Sequence, residues 1–227
     1  MLNFTNQAKA EGGSVNIKAV LFDMDGLIFD TEGVCKKSWQ HAAREQGLDL
    51  SDAFYQHFIG VQDIDCESLL EVEFAEKLNM ARFKRVRDLL LAVEREKDSA
   101  YKSGFEALFF ELINRGFKCA LVTSSALPLV QHHFSGCDYL SLFDALITSE
   151  QVKNGKPAAD CYLMACAQLH LSPAECLVLE DSNNGMRSAI GAGCHAIMIP
   201  DLQQPDRDVA QQATAVLSNL LEVRQFL

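Results

Sequence analysis

No stretch of about 18 apolar residues occurs in the chain, so the sequence offers no transmembrane helix. Its first residues, MLNFTNQAKAEGGSVN, lack a basic segment followed by an apolar one, and a signal peptide is not expected. None of the 8 cysteines stands in a CxxC pair and the 6 histidines form no HxxxH-type set, which argues against structural zinc. Without an export signal, the expectation is a cytoplasmic protein with reduced thiols, several of them serving as small buried apolar residues. Positive charge is scarce as well. Against 31 Asp and Glu there are 20 Lys and Arg, a net charge of −11, which speaks against nucleic acid and anionic membranes as partners. The turn after the first apolar run has no G-x-G-x-x-G; Gly185, Gly191 and Gly193 lie on and after a helix, so the nicotinamide fingerprint is missing.

What is present is an ordinary globular composition, 48% apolar and 22% charged over 227 residues. Residues 1–16 read as a polar, flexible lead-in ending near Gly12-Gly13-Ser14. IKAVLFD (17–23) is apolar without polar alternation, as in a strand buried on both faces of a parallel sheet. From 32 to 103 only helical periods occur, over VCKKSWQHAAREQG, 63–78 and 80–97, and Phe83, Val86, Leu90 and Val93 make one apolar stripe. Arg82, Lys84, Arg85 and Arg87 flank it, as on a solvated helix face. After 104, helices and strands alternate: strands at 118–123, 145–148, 176–181 and 195–199, helices at 104–115, from 127, after Lys156-Pro157 and at 183–192, then a helical tail. The fold class expected is α/β, a doubly wound parallel sheet (Rossmann-like) made of 17–31 and 104–227, with an inserted helical cap over 32–103.

In such sheets ligands bind beyond the carboxyl ends of the strands. The residues there are Asp23, Asp25 and Gly26 after the first strand, Thr123-Ser124-Ser125 after the second, Lys156 after the third and Glu180-Asp181-Ser182 after the fourth. Each has a bland reading: a solvated DxDG turn, a Ser/Thr helix cap, a surface lysine, an acidic helix start. Their joint occurrence at successive strand ends is not explained that way. Phosphoryl transfer needs this set. Carboxylates and Mg2+ neutralise phosphate charge, one carboxylate attacks phosphorus, a second moves protons, and hydroxyls and a lysine hold the transferring oxygens.

FDMDGLIFDTE (22–32), LVTSS (121–125), GKPAADCY (155–162) and LEDSNNGMRSAIGAG (179–193) resemble, in order, the four motifs of the haloacid dehalogenase-like (HAD) hydrolase superfamily. Within it the chain is similar to the capped phosphatase and beta-phosphoglucomutase group. The resemblance implies Asp23 as nucleophile and Asp25 as general acid and base. It implies Mg2+ held by Asp23, the main-chain carbonyl of Asp25 and Asp181, with Glu180 on the metal through water or orienting the site. Thr123 and the Ser124 amide would bind the phosphoryl group, Lys156 would balance charge on it and on Asp23, and Gly26 would allow a tight turn. The implied partner is a small phosphorylated metabolite.

The sequence departs from the mutases at two places. Cys35 stands where they carry a histidine, twelve positions after the nucleophile, and Gln62-Asp63 follows Gly60-Val61 where a cap arginine is expected. Hydrolysis is therefore favoured over the alternative, a sugar-phosphate mutase. Asp25 and Asp181 together argue against metal-free dehalogenation. A receiver domain has no use for a lid directly after its first strand. Cys35 and Trp39 are read as cap packing, and His132, His133 and His195 as non-ligands.

Overall fold

The computed structural model describes residues 16–95 and 101–227. The lead-in expected over 1–16 lies outside the described residues except for Asn16, as do the last two residues of the helix expected over 80–97.

Six parallel strands form one sheet in the order β3-β2-β1-β4-β5-β6. They are β1 (Ala19–Phe22), β2 (Lys118–Val122), β3 (Ala145–Ile147), β4 (Cys176–Glu180), β5 (His195–Met198) and β6 (Ala215–Val216). The helices of the α/β alternation are α5 (Phe105–Asn114), α6 (Leu127–His133), α7 (Asp160–Leu169), α8 (Asn183–Gly191) and α9 (Arg207–Gln212). Between β1 and α5 the chain forms α1 (Glu32–Arg44), α2 (Asp52–Tyr55), α3 (Asp63–Phe74) and α4 (Met80–Arg95).

Successive strand residues point to opposite faces, and here both faces are covered. Val20, Phe22, Cys119, Leu121, Leu177 and Leu179 enter one core layer. Ala19, Leu21, Ala120, Val122, Cys176 and Val178, their immediate neighbours, enter the other. The first layer is aromatic: the Phe22 ring lies 6.0 Å edge-on from both Phe105 and Phe109 of α5. The second is filled from α7 and α8 by smaller groups around Tyr162 and Met186. A strand covered on both sides has no polar face to alternate with, which is why its sequence is a plain apolar run.

The helical segment has a core of its own, with Trp39, Ala42, Ala43, Phe58, Leu70 and Phe83 at its centre. The α4 stripe differs from the expected one. Phe83 is buried, but Val93 is 58% exposed and Arg87, expected in solvent, is 5% exposed. The reason is pairing. The Arg87 guanidinium lies 4.7 Å from the Trp39 ring centre, and its Nη1 donates to Glu67 Oε1 at 3.0 Å. A planar cation lying over an indole and hydrogen-bonded to the carboxylates of Glu67 and Asp88 tolerates burial that a lone charge does not.

The carboxyl-terminal stretch is also not one helical tail. After α9, Ala215 and Val216 pair with Ile197 and Met198 and add a sixth strand, and Leu220–Phe226 is a 3-10 turn whose Leu220 and Val223 close the aromatic layer. No helix among the described residues is long and apolar enough to cross a membrane.

Candidate active site

The sheet order reverses at β1, where β2 lies on one side and β4 on the other. Phe22 is paired with Leu121 and with Leu179, so the residues that follow these strands emerge side by side. The backbone carries the pairing one step further, Asp23 N–H donating to Leu179 O at 3.1 Å. After Asp23 the chain turns tightly. Met24, Leu27, Ile28 and Phe29 are buried, and Gly26, at φ 80°, makes the bend. A Cβ on Gly26 would lie 2.2 Å from Asp181 Oδ2, so only glycine fits. Gly26→Ala is expected to destabilise the fold by about 2 kcal/mol or more, combining left-handed strain with this clash, as read from the denaturation midpoint.

Four of the predicted residues meet directly. Lys156, 3% exposed, donates to Asp23 Oδ1 at 2.6 Å, to Glu180 Oε1 at 2.7 Å and to the carbonyl of Val122 at 3.1 Å. Asp23, Glu180 and Asp181 each present an oxygen within 4.8 Å of the others. Glu180 is saturated by protein donors. Oε1 accepts from Lys156 and from the Tyr162 hydroxyl at 2.7 Å, and Oε2 accepts from the Asp181 and Ser182 amides and the Ser182 hydroxyl. Asp181 Oδ2 is buried and has no hydrogen-bond partner.

Electrostatics follow from burial. Desolvation, aided by the neighbouring acids, pushes Asp23 and Asp181 well above the usual carboxylate range, although Lys156 pulls Asp23 back. Burial alone would lower Lys156, but Asp23 and Glu180 outweigh it and hold the ammonium above its ordinary value. Three carboxylates against one cation leave two charges uncompensated. The set is all oxygen, and one of its atoms is buried without a donor; both features suit a hard divalent cation.

The Asp25 carboxylate stands apart from this cluster. It accepts from Thr31 Oγ1 at 2.5 Å and from Ser125 Oγ at 2.7 Å. Thr123, 3% exposed, accepts the Ser125 amide on Oγ1 at 3.0 Å. The Ser124 hydroxyl is turned to the helical segment, donating to Gly60 O at 3.0 Å. That segment meets the sheet ends again where Asn184 donates to Ile59 O at 3.0 Å and Gln203 to Gln56 O at 2.7 Å. Beside these contacts a cleft of about 660 Å3 opens, lined by His57, Gln62, Lys153, Asn154, Lys156 and Asn184 among others.

Several participants were given no role from the sequence. Ser125 stands at a strand end and Thr31 in a quoted motif, and their hydroxyls beside Asp25 could have been paired with it. Glu32 is 8% exposed and held well above the usual carboxylate range by burial, then by Asp25 and Asp23. Tyr162 sits inside α7, where no strand-end rule points. His133 stacks on Phe29 with ring centres 5.0 Å apart.

A family model described as haloacid dehalogenase-like hydrolase matches residues 20–199. The chain belongs to the haloacid dehalogenase-like hydrolases. This HAD hydrolase is 34% identical to hexitol phosphatase A of Escherichia coli (strain K12) over 80% of its own length and 82% of the relative's. It is 28% identical to the beta-phosphoglucomutase of Bacillus subtilis (strain 168) over 80% and 82%. In fold it is similar to the crystal structure of CbbY from Rhodobacter sphaeroides in complex with phosphate, with a TM-score of 0.76, 24% identity, and coverage of 91% and 96%. The chain is an enzyme of the phosphatase type, acting on phosphate esters.

Proposed function

We propose that this HAD hydrolase is a Mg2+-dependent phosphatase that releases phosphate from a small phosphorylated sugar or polyol through an aspartyl-phosphate on Asp23. The observation that carries the reading is the buried Asp23–Lys156–Glu180 chain beside the unpartnered Asp181 oxygen. Residues 17–31 and 104–227 act as the catalytic core and 32–103 as its lid, over a cleft with amide, ammonium and imidazole groups suited to hydroxyls.

In this reading Lys156 holds one oxygen of Asp23 and leaves the other to attack phosphorus. Asp25 gives its proton to the departing alkoxide. It then takes a proton from the water that attacks the aspartyl-phosphate, freeing phosphate and restoring Asp23. Thr123 and the Ser124 amide donate to the transferring oxygens. Asp23, Asp181 and the carbonyl of Asp25 would hold Mg2+, which supplies charge neutralisation for carboxylate and phosphoryl oxygens. Glu180, with both oxygens taken by protein donors, orients Lys156.

The test is a panel of phosphorylated sugars and polyols, with a generic aryl phosphate, scored for inorganic phosphate in Mg2+. Phosphate release from at least one supports the reading. Interconversion of a hexose 1-phosphate and 6-phosphate without phosphate release overturns it in favour of the mutase.

Melting provides a second readout. Because burial raises Asp23 and Asp181, the metal-free fold keeps protons that the unfolded chain has released. Its stability is therefore fully present below the ordinary carboxylate value and is lost as pH rises toward the raised values. Mg2+ at a hundred times its dissociation constant offsets this by about 2.7 kcal/mol, or about 5–10 °C in Tm for a chain of this size. The shift is expected at pH 8 and should shrink at pH 5; an equal Tm with Mg2+ and with chelator at pH 8 contradicts the cation site.

A further inference from the structure

On the face of the sheet covered by α7 and α8, four thiols gather outside the catalytic cluster. Cys161, Cys166 and Cys176 are buried in that core layer, and Cys194 packs against it half-buried. Cys161 is occupied by the Ser188 hydroxyl at 3.4 Å, and Cys176 points its thiol to Ser172 O at 3.6 Å. Cys166 has two sulfur neighbours, the buried Cys176 and the half-buried Cys194, and the one that solvent reaches is Cys194, whose sulfur lies 3.7 Å from that of Cys166. Among the described residues no set of three thiols lies close enough to hold a metal ion, so soft-metal chemistry does not explain the pair.

We propose that Cys166 and Cys194 are a peroxide-oxidisable pair that closes into an intramolecular disulfide. Cys194 opens the sequence of steps because solvent reaches it. It follows Gly193, exposed at φ 83°, in the turn between α8 and β5. A hydroperoxide transfers oxygen to the Cys194 sulfur: an S–O bond forms, the O–O bond breaks, and the thiol proton leaves with the second oxygen as water or alcohol. The Cys166 thiolate then attacks the sulfenic sulfur, an S–S bond forms, the S–O bond breaks, and the departing hydroxide takes a proton from solvent to leave as water. Sulfur supplies two electrons and the peroxide takes them. Hydrogen bonds from the Cys176 and Cys194 thiols favour the Cys166 thiolate and lower it from the usual thiol value, while the same contact raises Cys194, whose place as the first sulfur to react rests on its exposure.

The geometry gives the bond a structural reach. Cys166 is on α7, which also carries Tyr162, and Cys194 follows α8. The closed loop contains β4 with Glu180, then Asp181 and Ser182. Oxidation would tie the helix that supports Glu180 to the far end of the strand–helix unit that supplies Asp181. Among the described residues, Cys119 and Cys66, each buried and pushed up by desolvation, make no hydrogen bond to another sulfur and stay thiols under the same treatment.

The experiment is peptide mapping of the full chain after a few equivalents of hydrogen peroxide and alkylation of the remaining thiols. The expected product joins the peptides of Cys166 and Cys194, lacks two hydrogens, and disappears on treatment with dithiothreitol. C194S, at the half-exposed position, should lose this product while C35S keeps it. Fully alkylatable Cys166 and Cys194 after peroxide, a Cys166–Cys176 link in their place, or only sulfinic and sulfonic products would overturn the proposal. Mapping the unsubstituted chain decides the matter even where a cysteine variant folds poorly.

Discussion

Asp23→Asn is expected to lower phosphate release by about 10⁴-fold or more, with the fold intact. At about 1.36 kcal/mol per decade, that is a barrier increase of about 5.5 kcal/mol, in the range met when a covalent nucleophile is removed. An amide keeps the volume of the carboxylate and can still accept from Lys156, so packing is preserved. It cannot form the acyl phosphate. The stability expectation has the opposite sign to a damaged core. Asp23 is desolvated and pressed by Glu180 and Asp25, so a neutral side chain there removes repulsion that Lys156 only partly offsets. In chelator at pH 8 the variant should melt no lower than the parent, and its Tm gain from Mg2+ should shrink because one ligand oxygen has lost its charge. Rapid acid quenching of the parent with substrate should place a phosphoryl group on the peptide containing Asp23, and none in the variant. Full activity in Asp23→Asn, or a phosphoryl group elsewhere, removes Asp23 from the nucleophile's role.

Much of this site was legible because two simple periodicities meet in it. AVLF, CALV and CLVL are apolar throughout since the sheet is covered on both faces, and their ends are where polar residues can surface. That put Asp23, Thr123, Glu180 and Asp181 at one edge before any contact was known. Lys156, in the loop after the third strand, was placed at the same edge by the strand-end rule, and the motif order gave it Asp23 as its partner. The rest was hidden for physical reasons. Tyr162 acts from inside α7, where a tyrosine on a buried face is ordinary core. Glu32 begins α1 and looks like a favourable acidic first turn. Arg87 looks solvated until the Trp39 ring and Glu67 are found beneath it. β6 is two residues long and pairs only at the edge of a sheet already built, a tertiary contact with almost no local signature. The Cys166–Cys194 approach depends on the packing of α7 against the α8–β5 turn and has no spacing rule.

Lys156→Met separates the two roles this lysine combines, and both losses should be large. Methionine fills much of the same volume without a charge, so what is removed is the ammonium shared by Asp23 and Glu180 at 2.6 and 2.7 Å. Breaking a buried pair by deleting one partner costs about 3–5 kcal/mol, because the remaining charge is left uncompensated. Here two carboxylates lose the same partner. The pH dependence gives the sign. Without Lys156, Asp23 rises further above the usual carboxylate range, and the fold holds its proton to higher pH. The deficit is then small at pH 5, where the proton stands in for the ammonium, and grows as pH rises toward 8, where retaining it is itself costly. A Tm decrease of about 10 °C at pH 8, partly recovered by Mg2+ through the charge it returns, is the expected thermal result. Turnover should fall by about 10²–10⁴-fold at every pH, since a proton on Asp23 removes the attacking lone pair and Mg2+ does not replace a donor on Oδ1. Lys153→Met provides the contrast. That lysine lines the same cleft but is exposed, and its loss should leave Tm within about 1 °C at both pH values. If Lys156→Met matches the parent's melting at pH 5 and at pH 8, the ion pairs contribute nothing net to the fold, and the lysine's place in the site rests on catalysis alone.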